Sequence, residues 1–140
     1  MSWLNAGRLN IAVMEQKINK PENLDFEIRF YEKLLKDSPN FITALIALGD
    51  NYTKSGRYED GLKVDLKLSQ MKPGDPVIHY NLACSYSLLK MADECISALK
   101  KAIELGYSDF DFMKADPDLN FIHLDPRFKS LLLKTDSNVI

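Results

Sequence analysis

The sequence has little cysteine, no long apolar run and no excess of one charge. Cys84 and Cys95 are its two cysteines, too few for a disulfide framework, which favours a reducing compartment. The 18 basic and 20 acidic residues lack the basic excess of a general nucleic-acid binder. No stretch approaches the roughly 18 apolar residues of a membrane helix, and Ile11–Met14 is too short for a signal peptide's apolar region. These absences predict a cytoplasmic protein with neither nucleic acid nor membrane as a partner.

Residues suited to catalysis or metal binding are also few. His79 and His123 are the two histidines, and they are interpreted as packing residues. The two cysteines lie eleven positions apart, which is not the close spacing of a zinc site. Cys95 is expected to be a small core residue, whereas Cys84 is expected to face a groove, either as a small apolar residue or as a reactive thiol. The sequence predicts no enzymatic activity, no cofactor and no metal site.

A repeat with a period of 34 residues is what the sequence does contain. The pattern Leu48-Gly49-x-x-Tyr52 recurs as Leu82-Ala83-x-x-Tyr86, and the same register continues in part upstream. It defines three units of about 8–41, 42–75 and 76–109, within one domain of 1–140.

Each unit is predicted to form two helices, because apolar residues recur at spacings of three and four. In the second unit Gly56 ends the first helix and Tyr58–Met71 is the returning one. In the third unit Asp75 caps a helix that starts at the following proline. Its partner helix is expected over 92–105, before Gly106. The first unit should pair 9–18 with 24–36.

Small residues twelve positions apart are predicted to let the helices of each pair approach closely. They are Gly49 with Gly61 in the second unit and Ala83 with Cys95 in the third. The first unit has glutamates at both places.

The period is lost after residue 109, and the remaining chain is rich in apolar residues. A solenoid's last repeat leaves an apolar face open, so residues 109 to about 134 are predicted to cap it. Asp109, Asp116 and Asp125 are expected to cap short helical segments, the last two followed by proline. Helix capping explains this group of aspartates better than a calcium loop, whose regular spacing is missing.

These residues resemble those of tetratricopeptide repeat (TPR) proteins. The resemblance is strongest over 42–109, and 80–84 is similar to bacterial members. The endings Asp116-Pro117-Asp118-Leu119 and Asp125-Pro126-Arg127-Phe128 resemble a C-terminal cap that often follows such repeats. Asp65 departs from the family, which usually has an apolar or aromatic residue there. The resemblance implies an all-α fold: a right-handed solenoid of three helix pairs plus short capping helices.

The resemblance also implies a concave groove, lined by the first helix of each pair, that holds a peptide or helix of a partner protein. Periodicity agrees, because the implied groove residues lie opposite the Leu48 and Leu82 stripes. The expected function is therefore a non-enzymatic adaptor or scaffold. The predicted groove residues are Thr43, Ile46, Asp50, Thr53, Lys54, Val77, Tyr80, Asn81, Cys84, Ser87 and Leu88.

One known use of the family can be compared directly with this sequence. TPR proteins that bind acidic chaperone tails hold a C-terminal carboxylate with two lysines, two asparagines and an arginine. The set can be aligned with these repeats in two ways, one repeat apart, and in both alignments only Asn81 matches. No tight binding of such tails is therefore expected.

Two alternatives to an open groove remain. The cap or the first helix could fold back over the groove, or the chain could form a homodimer through its first helix pair or its apolar tail.

Overall fold

The structure, a computed structural model, describes residues 21–137, with side chains described for 23–134. The helix expected over 9–18 lies outside the described residues. Across 21–137 all regular elements are helical, with no strand among them. They are α1 (Pro21–Asp37), α2 (Ile42–Lys54), α3 (Tyr58–Met71), α4 (Pro76–Leu88), α5 (Ala92–Glu104), α6 (Phe110–Ala115), a 3-10 turn (Pro117–Leu119) and α7 (Pro126–Ser137).

The helix boundaries follow the period found in the sequence. Helices α2 and α3 begin at residues 42 and 58, and α4 and α5 begin 34 positions later, at 76 and 92. Helix α1 begins at Pro21, three residues before the expected start. Proline at a helix start loses no hydrogen bond, since the first turn's N–H groups have no partner within the helix. The segment 20–23, expected to be a connection, therefore belongs partly to α1.

The chain divides into two compact units, Met1–Gly56 and Arg57–Ile140. The boundary falls inside the second sequence repeat, and the single domain expected over 1–140 stays a prediction. In the first unit α1 packs against α2. The buried side chains of this pair include Leu24, Ile28, Leu45 and Leu48.

Helix α4 is central to the second unit. It packs against α3, α5 and the 3-10 turn, while α7 packs on α5. Ala83 of α4 and Cys95 of α5 are both 0% exposed, as expected for small residues between closely packed helices. The C-terminal segment, residues 109–134, contributes buried side chains to the same core, so it is an integral part of this unit. These side chains are Met113, Leu119, Ile122 and Phe128.

The predicted helix caps are confirmed. The Asp75 carboxylate accepts hydrogen bonds from the backbone N–H groups of Val77 (2.9 Å) and Ile78 (3.3 Å). Asp109 accepts from the N–H of Phe112 at 3.1 Å, and Asp125 accepts from the N–H of residue 127 at 2.8 Å. These bonds satisfy N–H groups that the first helical turn leaves unpaired.

Candidate protein-interaction surface

The exposed face of α2 carries the groove residues predicted for the second sequence repeat. These residues lie in the compact unit Met1–Gly56. Leu48 and Tyr52 are buried on one side of the helix, and Ile46, at 45% exposure, lies on the opposite side. Asp50 and Lys54 follow at helical spacing and form an ion pair of 2.9 Å. Thr43 is also exposed, and Thr53 is half-buried, with its hydroxyl donating to the carbonyl oxygen of residue 49 at 3.1 Å. The face is therefore solvent-accessible within its unit, with one exposed aliphatic side chain among polar ones.

The predicted groove residues of α4 divide into two groups. Val77 is 54% exposed, Asn81 is exposed and Leu88 is half-buried. In contrast to the expectation of an exposed groove face, Tyr80, Cys84 and Ser87 are 3%, 8% and 1% exposed.

The C-terminal segment, together with Tyr107 just before it, covers Tyr80 and Cys84. The Tyr80 hydroxyl donates a hydrogen bond of 2.6 Å to the Asp116 carboxylate. Its ring stacks on Tyr107, with centroids 4.4 Å apart and planes 7° from parallel, and lies 6.1 Å from the ring of Phe112. The Cys84 thiol contacts the same oxygen of Asp116 at 3.7 Å. The part of the predicted groove that lies on α4, in the third sequence repeat, is thus partly filled by the protein's own chain.

Asp116 has two functions in this arrangement, of which the sequence predicted one. One carboxylate oxygen caps the 3-10 turn by accepting from the N–H of Asp118 at 3.0 Å. The other accepts the Tyr80 hydroxyl, and the side chain is buried. Short-range patterns reveal the cap because it acts over two residues. They do not reveal the bond to Tyr80, which spans 36 positions.

Burial and a nearby carboxylate favour the neutral forms of the Tyr80 hydroxyl and the Cys84 thiol. Burial first, and then the neighbouring Cys84 and Asp116, raise the pKa of Tyr80. Burial and then the negative charge of Asp116 also raise the pKa of the Cys84 thiol. A buried thiol with a raised pKa is a poor nucleophile. Cys84 therefore fits a packing residue better than the reactive thiol considered from the sequence.

The same region contains a group of ligand types that metals use. One ligand atom each from Cys84, Asp116 and Asp118 lies within 4.8 Å of the others. The hydrogen bonds from Tyr80 and from the N–H of Asp118 already account for both oxygens of Asp116. The cluster is explained as a hydrogen-bonded packing contact.

Asp65, which departs from the family pattern, is buried in α3 at 8% exposure. It accepts a hydrogen bond of 2.5 Å from the hydroxyl of Ser85 on α4. A buried carboxylate requires such donors, because desolvation without them is costly. The pair therefore gives the α3–α4 interface a specific polar contact in place of an apolar one.

The two histidines are held in different surroundings. His79 Nε2 lies 2.8 Å from the carbonyl oxygen of Pro73, and His123 packs against the ring of Phe128 with centroids 5.3 Å apart. His79 also lines an open groove of about 450 Å³ between α4 and α5, together with Tyr86 and Glu94 among others. Its ring hydrogen bond goes to a backbone carbonyl and not to an ionisable side chain. This contact ties His79 to the turn that precedes α4.

Comparisons with known proteins agree with an all-helical repeat fold. No family model matches the chain. The chain is 35% identical over 95 residues to a chloroplastic protein of Arabidopsis thaliana. That match covers 66% of this chain but only 28% of the Arabidopsis protein.

A solved structure gives the fold comparison. MamA 41-end from Desulfovibrio magneticus RS-1 aligns with a TM-score of 0.59 and 22% identity, over 89% of this chain and 80% of that one. MamA has a TPR-like helical solenoid fold, so the all-α, TPR-type fold expected from the sequence is confirmed. None of the helices within residues 21–137 is both long enough and apolar enough to cross a membrane.

Proposed function

We propose that the chain is a non-enzymatic protein-interaction module, an adaptor or scaffold, that holds a peptide or helix of a partner protein. One observation carries this proposal: the faces of α2 and α4 that the repeat register directs away from the buried stripes keep exposed aliphatic side chains. These are Ile46 at 45% exposure and Val77 at 54%. Single exposed apolar side chains are common on protein surfaces, so what supports the proposal is their position, on the helix faces that the repeat register leaves unburied.

The chemistry of these faces suits an extended or helical segment. An aliphatic side chain of the partner would bury itself against Ile46 or Val77, and the amide of Asn81 could satisfy a backbone group. The residues proposed to bind are Thr43, Ile46, Asp50, Thr53 and Lys54 on α2, and Val77, Asn81 and Leu88 on α4.

Contact with Tyr80 and Cys84 would require the C-terminal segment to leave α4, and Ser87 is buried as well. That movement would expose Met113 and Leu119, both 0% exposed in this structure. Exposing each large apolar side chain costs about 1.5–3 kcal/mol. We therefore assign partner binding to the residues already exposed and treat the C-terminal segment as a permanent part of the unit.

Panning a random peptide library against the purified chain tests this function without assuming any peptide chemistry. Retained peptides should lose at least tenfold in affinity with Ile46→Lys or with Asn81→Ala. Lys63→Ala, on an exposed position of α3, is the matched control and should bind like the wild type. Failure to retain any peptide, or equal loss with the control, would contradict the proposal.

The alternative function is self-association. Phe26 and Phe30 are 65% and 54% exposed on α1, on the side opposite the buried Leu24 and Ile28. Two exposed aromatic side chains one turn apart are a feature of helix–helix interfaces, and a homodimer would bury them. Sedimentation velocity distinguishes the two functions: a monomer at all concentrations removes the dimer, whereas a dimer lost with Phe26→Ser and Phe30→Ser supports it.

Three finer assignments are part of the proposal. We infer that the chain is of the bacterial TPR type, with its two Asp-Pro segments acting as that type's C-terminal cap. The bonds made by Asp116 and Asp125 support this reading.

We infer that the chain does not clamp acidic chaperone tails, because Asn81 is the single matching residue. We also infer a cytoplasmic location, which imaging of the tagged chain in its source cells would test.

A further inference from the structure

Two exposed apolar side chains lie beside the buried ring of Tyr80. Val77 is 54% exposed and precedes Tyr80 by one helical turn on α4. Phe112 is 51% exposed on α6, and its ring centroid lies 6.1 Å from that of Tyr80. Residues three positions apart on a helix are neighbours. Val77 and Phe112 therefore border the same buried phenol within one compact unit.

The charges around Phe112 are mostly negative. Residues 105–126 contain five aspartates and one lysine. Asp109 and Asp111, at the start of α6, lie within three positions of Phe112, and both are exposed. Lys114 lies about 200° around the helix from Phe112, but it is three positions after Asp111 and is therefore a neighbour of that carboxylate.

The other aspartates with observed contacts in this segment are already engaged. Asp116 is buried and accepts the Tyr80 hydroxyl. Asp125 pairs with Arg127 at 2.9 Å, and this hydrogen bonding lowers the pKa of its carboxyl. Asp109 caps α6 through a single oxygen atom. The two exposed carboxylates at the start of α6 are therefore available to an outside cation.

We infer that the surface formed by Val77, Phe112, Asp109 and Asp111 binds a basic segment of a partner protein. We call it the acidic-apolar surface. An aliphatic or aromatic side chain of the partner packs against Val77 and Phe112, while lysine or arginine side chains pair with the two aspartates. This inference rests on the proposed function and adds the chemical class of the partner.

Charge complementarity decides between partner classes here. An acidic segment would bring like charges together at the start of α6, whereas a basic one gains attraction and faster association. Because both carboxylates are exposed, the attraction is screened over about 8 Å at physiological ionic strength. Binding should therefore weaken as salt increases, which purely apolar docking would not show.

Two fluorescein-labelled peptides of about three helical turns test the inference by fluorescence anisotropy. Both have the same leucines and one phenylalanine, and their polar positions are all lysine in one and all glutamate in the other. The lysine peptide should bind at least tenfold more tightly at 50 mM NaCl, and its advantage should shrink at 300 mM. Val77→Ser and Phe112→Ser should each weaken its binding at least fivefold.

Charge variants distinguish binding at the acidic-apolar surface from a general attraction between the lysine peptide and the acidic residues of the protein. Asp109→Asn with Asp111→Asn should weaken binding of the lysine peptide by roughly 3- to 20-fold, as two exposed pairs would. Asparagine at position 109 still caps the helix, so folding is preserved. The control, Glu59→Gln with Glu104→Gln, removes the same charge from exposed positions elsewhere and should change binding less than twofold.

Several results would overturn the inference. They are equal binding of both peptides, equal effects of the two charge variants, binding unaffected by the Val77 and Phe112 variants, or no binding. None of them decides the proposed function, because library panning and the Ile46 variant test that function without regard to charge. Neutral peptides retained by panning would leave an adaptor that does not prefer basic segments.

Discussion

Gly56 and Lys90, 34 positions apart, both have left-handed backbone conformations, with φ of 82° and 60°. Each follows the first helix of its repeat, so the period fixes backbone geometry at the turn as well as the helix boundaries. Glycine adopts this conformation without penalty, whereas a side chain costs about 1–2 kcal/mol. The third repeat therefore makes the same turn with a less suitable residue.

Replacing Lys90 with glycine should raise the free energy of unfolding by about 0.5–1 kcal/mol, because relief of strain exceeds the added freedom of the unfolded chain. Gly56→Ala should lower it by about 1 kcal/mol or more. Urea unfolding measures both changes. Gly74→Ala, which has open space around the new methyl group and no positive φ, is the control and should be neutral or slightly stabilising. A loss of stability with Lys90→Gly would contradict this account.

Local signals predicted much of the fold. Helix α3 spans Tyr58–Met71 as expected, and the caps made by Asp75 and Asp109 are present. These features depend on neighbours within a few positions, so a single sequence contains the necessary information. The expected start of α1 lies three residues late, because a proline such as Pro21 fits a connection as well as a first helical turn.

Long-range packing was the part that the sequence could not supply. The register correctly put Val77 and Asn81 on an exposed face, yet the same register gave Tyr80 and Cys84 the same exposure. What buries them is a segment about 30 residues later, and periodicity contains no information on where a non-repeating tail docks. The one available signal was the tail's own apolar content, which indicated that it covers something.

Tyr80→Phe should lower the free energy of unfolding by about 1–3 kcal/mol, since it removes a hydrogen bond to a buried carboxylate and keeps the ring. The bond joins α4 to the C-terminal segment at 2.6 Å. Calorimetry should show a clear decrease in Tm. Tyr58→Phe, on a half-buried position of α3, is the matched control and should melt like the wild type. Equal Tm values for both variants would mean that the hydroxyl of Tyr80 contributes nothing.

Ser85→Ala should cost about 1–3 kcal/mol, because the buried Asp65 carboxylate loses a donor. Ser97→Ala makes the same chemical change on an exposed position of α5 and should leave stability within about 0.5 kcal/mol of the wild type. Urea unfolding of the two variants gives the comparison. Similar values for both would show that the Asp65–Ser85 contact adds no stability.

Stability should decrease in alkaline solution. Burial raises the pKa of Cys84 and brings that of Cys95 to about 12, so both thiols stay neutral in the folded chain. In the unfolded chain they ionise at about pH 8.5. Their contribution is therefore complete below about pH 8.5 and is lost as the pH rises, by about 1.4 kcal/mol per pH unit for each thiol.

The variant Cys84→Ala tests this dependence, because it removes one of the two thiols. Its free energy of unfolding, measured in urea between pH 8 and 10, should fall about half as steeply as that of the wild type. The slope is the quantity to compare, since the cavity left by the substitution lowers stability equally at every pH. Identical slopes would show that Cys84 ionises as readily in the folded chain as in the unfolded one.

The most direct test of the central claim, that the C-terminal segment permanently covers the Tyr80–Cys84 side of α4, is the alkylation rate of Cys84. Iodoacetamide labelling followed by peptide mass spectrometry distinguishes Cys84 from Cys95, which is 0% exposed and serves as an internal reference. We expect both cysteines to stay unlabelled under native conditions and to react only when urea unfolds the chain. Rapid labelling of Cys84 in the native protein, with Cys95 still protected, would show an open groove and contradict this account.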